Sequence, residues 1–208
     1  MTAIKYREPD FFDDFSFWKT DWHMEDGTGN PECKSTYSKI MDGKLYLSSN
    51  IGCWSWARLR NLDLHNFAVQ IEMDLSRIDS EGSISISGAT EFEDFVLMLN
   101  HDGNWGTWYC MPEGKCEESQ RGKLHSTYDT SPATITVVFN GTENAVFVNS
   151  FPLYHDNRYL PVSIARHINI SVQDASKSVP QRIVEFDNLK VWDLNKIEVL
   201  SATSTIAK

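Results

Sequence analysis

The sequence predicts an all-β protein, an antiparallel two-sheet jelly-roll sandwich, on three observations. Apolar residues alternate with period two through most of the chain, clusters of turn residues separate the alternating runs at short intervals, and no stretch carries the 3.6-residue repeat of an amphipathic helix. The clearest single signal is the alternating run over residues 135–139, which meets Asn140-Gly141-Thr142-Glu143-Asn144 and resumes over 145–149. Asn-Gly between two such runs marks a hairpin, because both central turn positions must accept positive φ. Roughly ten to twelve short strands are expected, and a sandwich is the usual way to protect that many sheet edges.

The elements follow in chain order. Residues 8–30 are acidic and aromatic, and read as an N-terminal strand followed by an irregular aromatic loop that ends in Asp26-Gly27-Thr28-Gly29-Asn30-Pro31. A short strand over 44–48 follows the Asp42-Gly43 turn. Over 53–60, strict alternation puts Trp54, Trp56, Arg58 and Arg60 on one face and Cys53, Ser55, Ala57 and Leu59 on the other. Residues 67–75 form the clearest half-buried strand, with Phe67, Val69, Ile71, Met73 and Leu75 inward and Ala68, Gln70, Glu72 and Asp74 opposite. Residues 83–87 alternate again, and 95–100 and 105–110 pair around His101-Asp102-Gly103-Asn104 as a second hairpin. Residues 117–121 read as polar loop, 122–125 as a short strand, and 161–166 lead into a strand over 168–172. The run over 183–193 closes the fold. A single domain over 1–194 is expected, with 195–208 a frayed C-terminal tail.

With 41% apolar and 12% aromatic residues in 208, the chain has enough bulk for a continuous core between two sheets. Its formal net charge of −10 argues against nucleic acid or an anionic membrane surface as the main partner, since both are polyanions. A neutral ligand, a cation or a protein fits better. Residues 1–8 lack the apolar core of a signal peptide, and no run approaches the ~18 apolar residues of a membrane helix, so a soluble cytoplasmic protein is expected. In that compartment the four cysteines, Cys33, Cys53, Cys110 and Cys116, are expected as free thiols. The Pro/Gly loop between Cys110 and Cys116 leaves pairing of those two open.

Asp13-Asp14-Phe15, Trp54-Ser55-Trp56-Ala57-Arg58-Leu59, the strand over 67–75, the hairpin over 136–149 and Phe186-Asp187-Asn188-Leu189-Lys190-Val191 together resemble the concanavalin A-like lectin/glucanase superfamily, in particular its laminin-G-like and 3-keto-disaccharide-hydrolase-like branches. The likeness spans residues 10–194. It implies a jelly roll that binds carbohydrate, or acts on it, through its concave sheet.

Three groups of residues are candidate sites. Trp54, Trp56, Arg58 and Arg60 offer flat apolar surfaces for a pyranose and planar donors for its hydroxyls, with inter-sheet core as the competing assignment. Trp105, Trp108 and Tyr109 extend that platform or pack under a loop. Glu72 and Asp74 share a strand face, as the paired carboxyls of a retaining glycosidase do, yet Arg77 stands where the resembling Glu-x-Asp-x-x-Glu motif has its second Glu. A solvated polar face is the expected role for the pair. Glu91, Glu93 and Asp94 form another acidic cluster, placed in a loop. By resemblance, Asp13 or Asp14 with Asp187 would supply oxygen ligands to a structural calcium, while Asp187-Asn188 can equally cap a strand end.

The six histidines lack the spacing of a metal site or a triad, leaving His101 and His155 as acid/base candidates only if a cleft gathers them. The leading expectation is a domain that binds a glycan or another small polyhydroxylated ligand. The alternative is an enzyme on the same scaffold, a glycosidase, lyase or small-molecule cyclase or isomerase, using acidic and histidine residues of the concave cleft.

Overall fold

The computed structural model describes residues 4, 7–17, 21–26, 33, 36–75, 81–87, 94–111, 115–124, 132–141, 143–156, 164–172 and 181–196. Among them lie fifteen strands: β1 (Phe11–Asp13), β2 (Trp22–Asp26), β3 (Tyr37–Met41), β4 (Lys44–Asn50), β5 (Ser55–Leu59), β6 (Phe67–Asp74), β7 (Glu81–Ser87), β8 (Asp94–Asn100), β9 (Asn104–Cys110), β10 (Cys116–Lys123), β11 (Ala133–Asn140), β12 (Glu143–Val148), β13 (Phe151–Asp156), β14 (His167–Val172) and β15 (Gln181–Asp193). A short 3-10 turn, Leu194–Lys196, follows β15. The frayed tail expected beyond it lies outside the described residues.

The strands form two antiparallel sheets. The eight-stranded sheet runs β13-β12-β11-β6-β15-β4-β3, with β1 added along β15, and the seven-stranded sheet runs β10-β9-β8-β7-β14-β5-β2. Each sheet turns one face of alternating apolar residues toward the other. Val69, Ile71 and Met73 of β6, Ile135 and Val137 of β11, and Val184 and Phe186 of β15 meet Ala57 and Leu59 of β5, Ile84 and Ile86 of β7, Phe95 and Leu97 of β8, and Ile168 and Ile170 of β14 in one continuous core. Burying a side chain of this size stabilises the fold by about 1.5–3 kcal/mol. Phe139 stacks on Phe67 and meets Phe95 edge-on, which ties the sheets together at one end of the core.

The expected hairpins are present, β11 with β12 and β8 with β9, in the registers Val137↔Val146 and Leu97↔Thr107. Gly141 in the first turn and Gly103 in the second both have positive φ. Four readings of the sequence are corrected. Residues 117–121 belong to a strand, β10, rather than a loop. The aromatic stretch expected as irregular holds β2, and β3 and β13 are further strands. Ala68 does not face water: it is covered by Trp192 and Ile4, a small cluster on the outer side of the eight-stranded sheet. The four cysteines are not free, because Cys33 pairs with Cys53 and Cys110 with Cys116.

Candidate functional site

The alternation over residues 53–60 resolves as the sequence predicts, and it decides which face is which. Ser55, Ala57 and Leu59 are buried between the sheets, while Trp56 and Arg58 lie on the outer face of the seven-stranded sheet. Trp54, just before β5, is 67% exposed. The competing assignment of this face to the inter-sheet core does not hold.

Antiparallel register lines up the rest of the face. One row of directly paired residues runs across the whole sheet: Glu118 on β10, Trp108 on β9, Val96 on β8, Ser85 on β7, Asn169 on β14, Arg58 on β5 and His23 on β2. The next row holds Gly106, Met98, Ser83, Ser171 and Trp56. On the other side of the first row, Cys110, Asp94, Ser87 and His167 stand side by side.

Hydrogen bonds join the middle of these rows into one network. Arg58 Nε donates to Asn169 Oδ1 at 2.6 Å, and Asn169 Nδ2 donates to Ser87 Oγ at 2.6 Å and Ser85 Oγ at 3.1 Å. The Arg58 guanidinium also lies over the Trp56 indole, 4.8 Å from its centroid, and the His23 ring meets that indole at 5.5 Å. Trp56 thus serves to hold Arg58 as well as to offer its own surface. Ser87 in turn bonds the carboxyl of Asp94, whose Oδ1 is buried with no hydrogen-bond partner. Burial pushes this carboxyl above the ordinary aspartate range, against the pull of the Ser87 bond and the Arg58 charge. Sequence reading placed Asp94 in a loop with Glu91 and Glu93. It opens β8 instead, while the two glutamates lie outside the described residues.

The three aromatic candidates on β9 part company. Trp105 and Tyr109 point inward and are 8% and 9% exposed, within the core. The Tyr109 hydroxyl bonds the Tyr154 hydroxyl at 3.0 Å and accepts from Asn144 Nδ2, so the pair ties β9 to β13 across the sandwich, and burial raises the Tyr109 phenol well above its usual range. Only Trp108 faces outward. Its indole reaches back along the strand over Gly106, where a Cβ would collide with the ring. Gly106 therefore makes room for an indole laid along the sheet. Trp108 and Arg58 stand four strands apart, about 19 Å at the usual strand spacing.

Glu72 and Asp74 lie on the opposite side of the molecule, on the outer face of the eight-stranded sheet. There Glu72 pairs with Asp187 and Asp74 with Glu185 across β6 and β15, and together with Lys44 and Pro132 they line a shallow cleft. Lys44 bonds Glu185 at 2.9 Å and Asn188 Nδ2 donates to Glu72 at 3.1 Å. Partial burial, and then the charges of Glu72 and Asp14, raise the Asp187 carboxyl above its ordinary range. Asp13 is fully buried, its two oxygens accepting from Phe15 N and Trp22 Nε1, and Asp14 accepts from the backbone and hydroxyl of Ser16. Among the described residues, no group of three or more His, Cys, Asp or Glu side chains is arranged to hold a metal ion. A calcium ion near Asp14 and Asp187 would need main-chain oxygens to complete its shell. His101 bonds the Leu75 carbonyl through Nδ1 at 2.9 Å, at the end of the β8–β9 hairpin and away from the network.

No family model matches the chain, and no curated protein matches it. Solved structures do. The chain is similar to a β-glucanase of Bacillus licheniformis, with a TM-score of 0.66 and 11% identity over 90% of this chain and 99% of that one. It is also similar to a Bacillus subtilis protein described as having a galectin-like fold, with a TM-score of 0.67 and 11% identity over 91% and 97%. A third likeness, to the carbohydrate recognition domain of Emp46p in its potassium-bound form, has a TM-score of 0.62 and 11% identity over 87% and 94%. At these identities the likeness establishes the fold: this is a concanavalin A-like jelly roll.

Proposed function

We propose that this chain is a glycan-recognition domain whose binding surface is the outer face of the seven-stranded sheet. The observation that carries the proposal is the row Trp108–Val96–Ser85–Asn169–Arg58, which sets an outward indole and a fixed guanidinium at two ends of a polar floor. Sugars need an apolar plane for their C–H faces and oriented donors and acceptors for their hydroxyls. Trp108 and the exposed Trp54 supply the first, and Arg58, Asn169 and the serines supply the second. The similarity to a carbohydrate recognition domain supports the reading.

The enzymatic alternative has one observation in its favour, the half-buried Asp94 on this same face, whose carboxyl is raised above its ordinary range. A retaining glycosidase places two carboxyl groups about 5–5.5 Å apart. Among the described residues, those directly beside Asp94 are Ser87 and Cys110, with Val96 next on its own strand, and Glu72 and Asp74 are on the other side of the sandwich. Recognition without retaining hydrolysis is the better-supported reading.

Thermal melting against a panel of oligosaccharides tests the proposal. A sugar-specific rise in melting temperature is expected, with affinity for that sugar falling roughly tenfold or more in Trp108→Ala. An unchanged melt with every sugar would contradict it. Turnover of a bound sugar, lost in Asp94→Asn, would move the conclusion to the enzyme.

A further inference from the structure

The net charge of the chain argues for a neutral ligand, yet β5 brings two arginines to the β2–β5–β14 side of the proposed binding face, where β2 sets Glu25 opposite Trp56. Arg58 and Arg60 follow one another on this side of the chain at β5, and His23 stands directly across from Arg58. Among the described residues neither guanidinium is in an ion pair. Arg58 spends only its Nε, on Asn169, and its two terminal amino groups have no acceptor there. Arg60 donates its backbone N–H to the Asp21 carbonyl, and among the described residues its guanidinium forms no ion pair.

That arrangement is unusual in one respect: the guanidinium is oriented before anything binds. Asn169 fixes its Nε edge, Ser85 and Ser87 fix Asn169, and Trp56 supports its plane from below. Holding a long side chain in a single geometry costs rotamer entropy, of order 1.5–2 kcal/mol for an arginine. The usual return on that ordering, a bidentate acceptor, is missing. The acid in the same network, Asp94, feels the Arg58 charge but bonds Ser87 and forms no salt bridge with Arg58. A planar fork with both terminal nitrogens open matches a carboxylate, which accepts two parallel N–H bonds, better than it matches a hydroxyl.

We infer that the ligand carries a carboxylate, a uronic acid residue, bound by the terminal nitrogens of Arg58 beside Trp56, with the charge of Arg60 two residues further along the chain. This rests on the reading of the outer face as a glycan site and names the class of glycan. In it Arg58, Asn169 and Trp56 act as a unit: Trp56 and Asn169 position, and Arg58 binds.

The test compares two ligands by isothermal titration: a uronate oligosaccharide and the same oligosaccharide with its carboxyl groups chemically reduced to alcohols. The expected result is at least tenfold tighter binding of the uronate, weakening with added salt, and loss of that preference in Arg58→Lys, which keeps the charge but not the fork. Trp108→Ala is expected to weaken both ligands alike. Equal or tighter binding of the reduced, neutral chain would overturn the inference while leaving the glycan site standing. Tighter binding of a sulfated neutral chain than of the uronate would overturn the carboxylate assignment. Binding of none of these chains, together with a flat response to the neutral panel, would overturn both readings. Should Arg58→Lys fail to fold, the comparison of the two ligands on the wild-type protein decides alone.

Discussion

Asp94 is the residue where the physical chemistry of the proposed site is most exposed to measurement. Its carboxyl is raised chiefly by burial, so the folded state holds the proton more tightly than the unfolded chain does. The contribution of Asp94 to stability is therefore greatest below the unfolded value of about 3.9, falls as pH rises through the window up to the raised folded value, and stays lower above it. Asp94→Asn removes the charge and is expected to raise the melting temperature by a few degrees at neutral pH, with the gain vanishing in acid. Among the described residues Arg58, His167 and the Cys110–Cys116 bridge flank it, so the difference between wild type and Asp94→Asn at each pH, rather than either melt alone, isolates the carboxyl. A gain of equal size at all pH values would contradict this assignment. Tyr109 is the counterpart inside the sandwich. Tyr109→Phe leaves the Asn144 amide and the Tyr154 hydroxyl short of a partner and is expected to cost about 1–3 kcal/mol in denaturant unfolding.

At the scale of elements, what was readable in the sequence and what was not follow one rule. β6, β8, β9, β11, β12 and β15 each bury alternate apolar residues, and period-two alternation reported them. β10 has none to bury: as an edge strand its Glu117, Glu118 and Arg121 face water, which guards the edge and erases the signal. β13 is the edge strand of the other sheet and carries Pro152, a residue that sequence rules count against a strand although edges accept it. The Trp/Arg face was legible because a strand's alternation is local. Its partners were not, since Asn169, Ser85 and Trp108 reach Arg58 only through cross-strand register. Disulfide pairing is long-range for the same reason. Removing the Cys33–Cys53 bridge, with its separation of 20 residues, is expected to cost about 3 kcal/mol on the loop-closure relation. Thiol titration of the denatured, unreduced protein is expected to find none, and four titratable thiols would contradict both bridges.

The whole molecule presents two chemically different faces. The eight-stranded sheet carries Glu72, Asp74, Glu185 and Asp187 outward, and the seven-stranded sheet carries Arg58, Asn169, Trp56 and Trp108. The seven-stranded face also carries Glu118 and Asp94, so Arg58 is a local cation within a mixed surface. If calcium binds near Asp14 and Asp187, it should raise the melting temperature, and chelator should reverse the rise. A melt indifferent to both would remove calcium from the account. The assignment of the binding face is tested most directly by titrating one sugar that shifts the melt into three proteins: wild type, Trp108→Ala and Glu72→Gln. The account predicts affinity lost in Trp108→Ala and unchanged in Glu72→Gln, with both variants folded; loss in Glu72→Gln with Trp108→Ala unaffected would place the ligand on the other side of the sandwich.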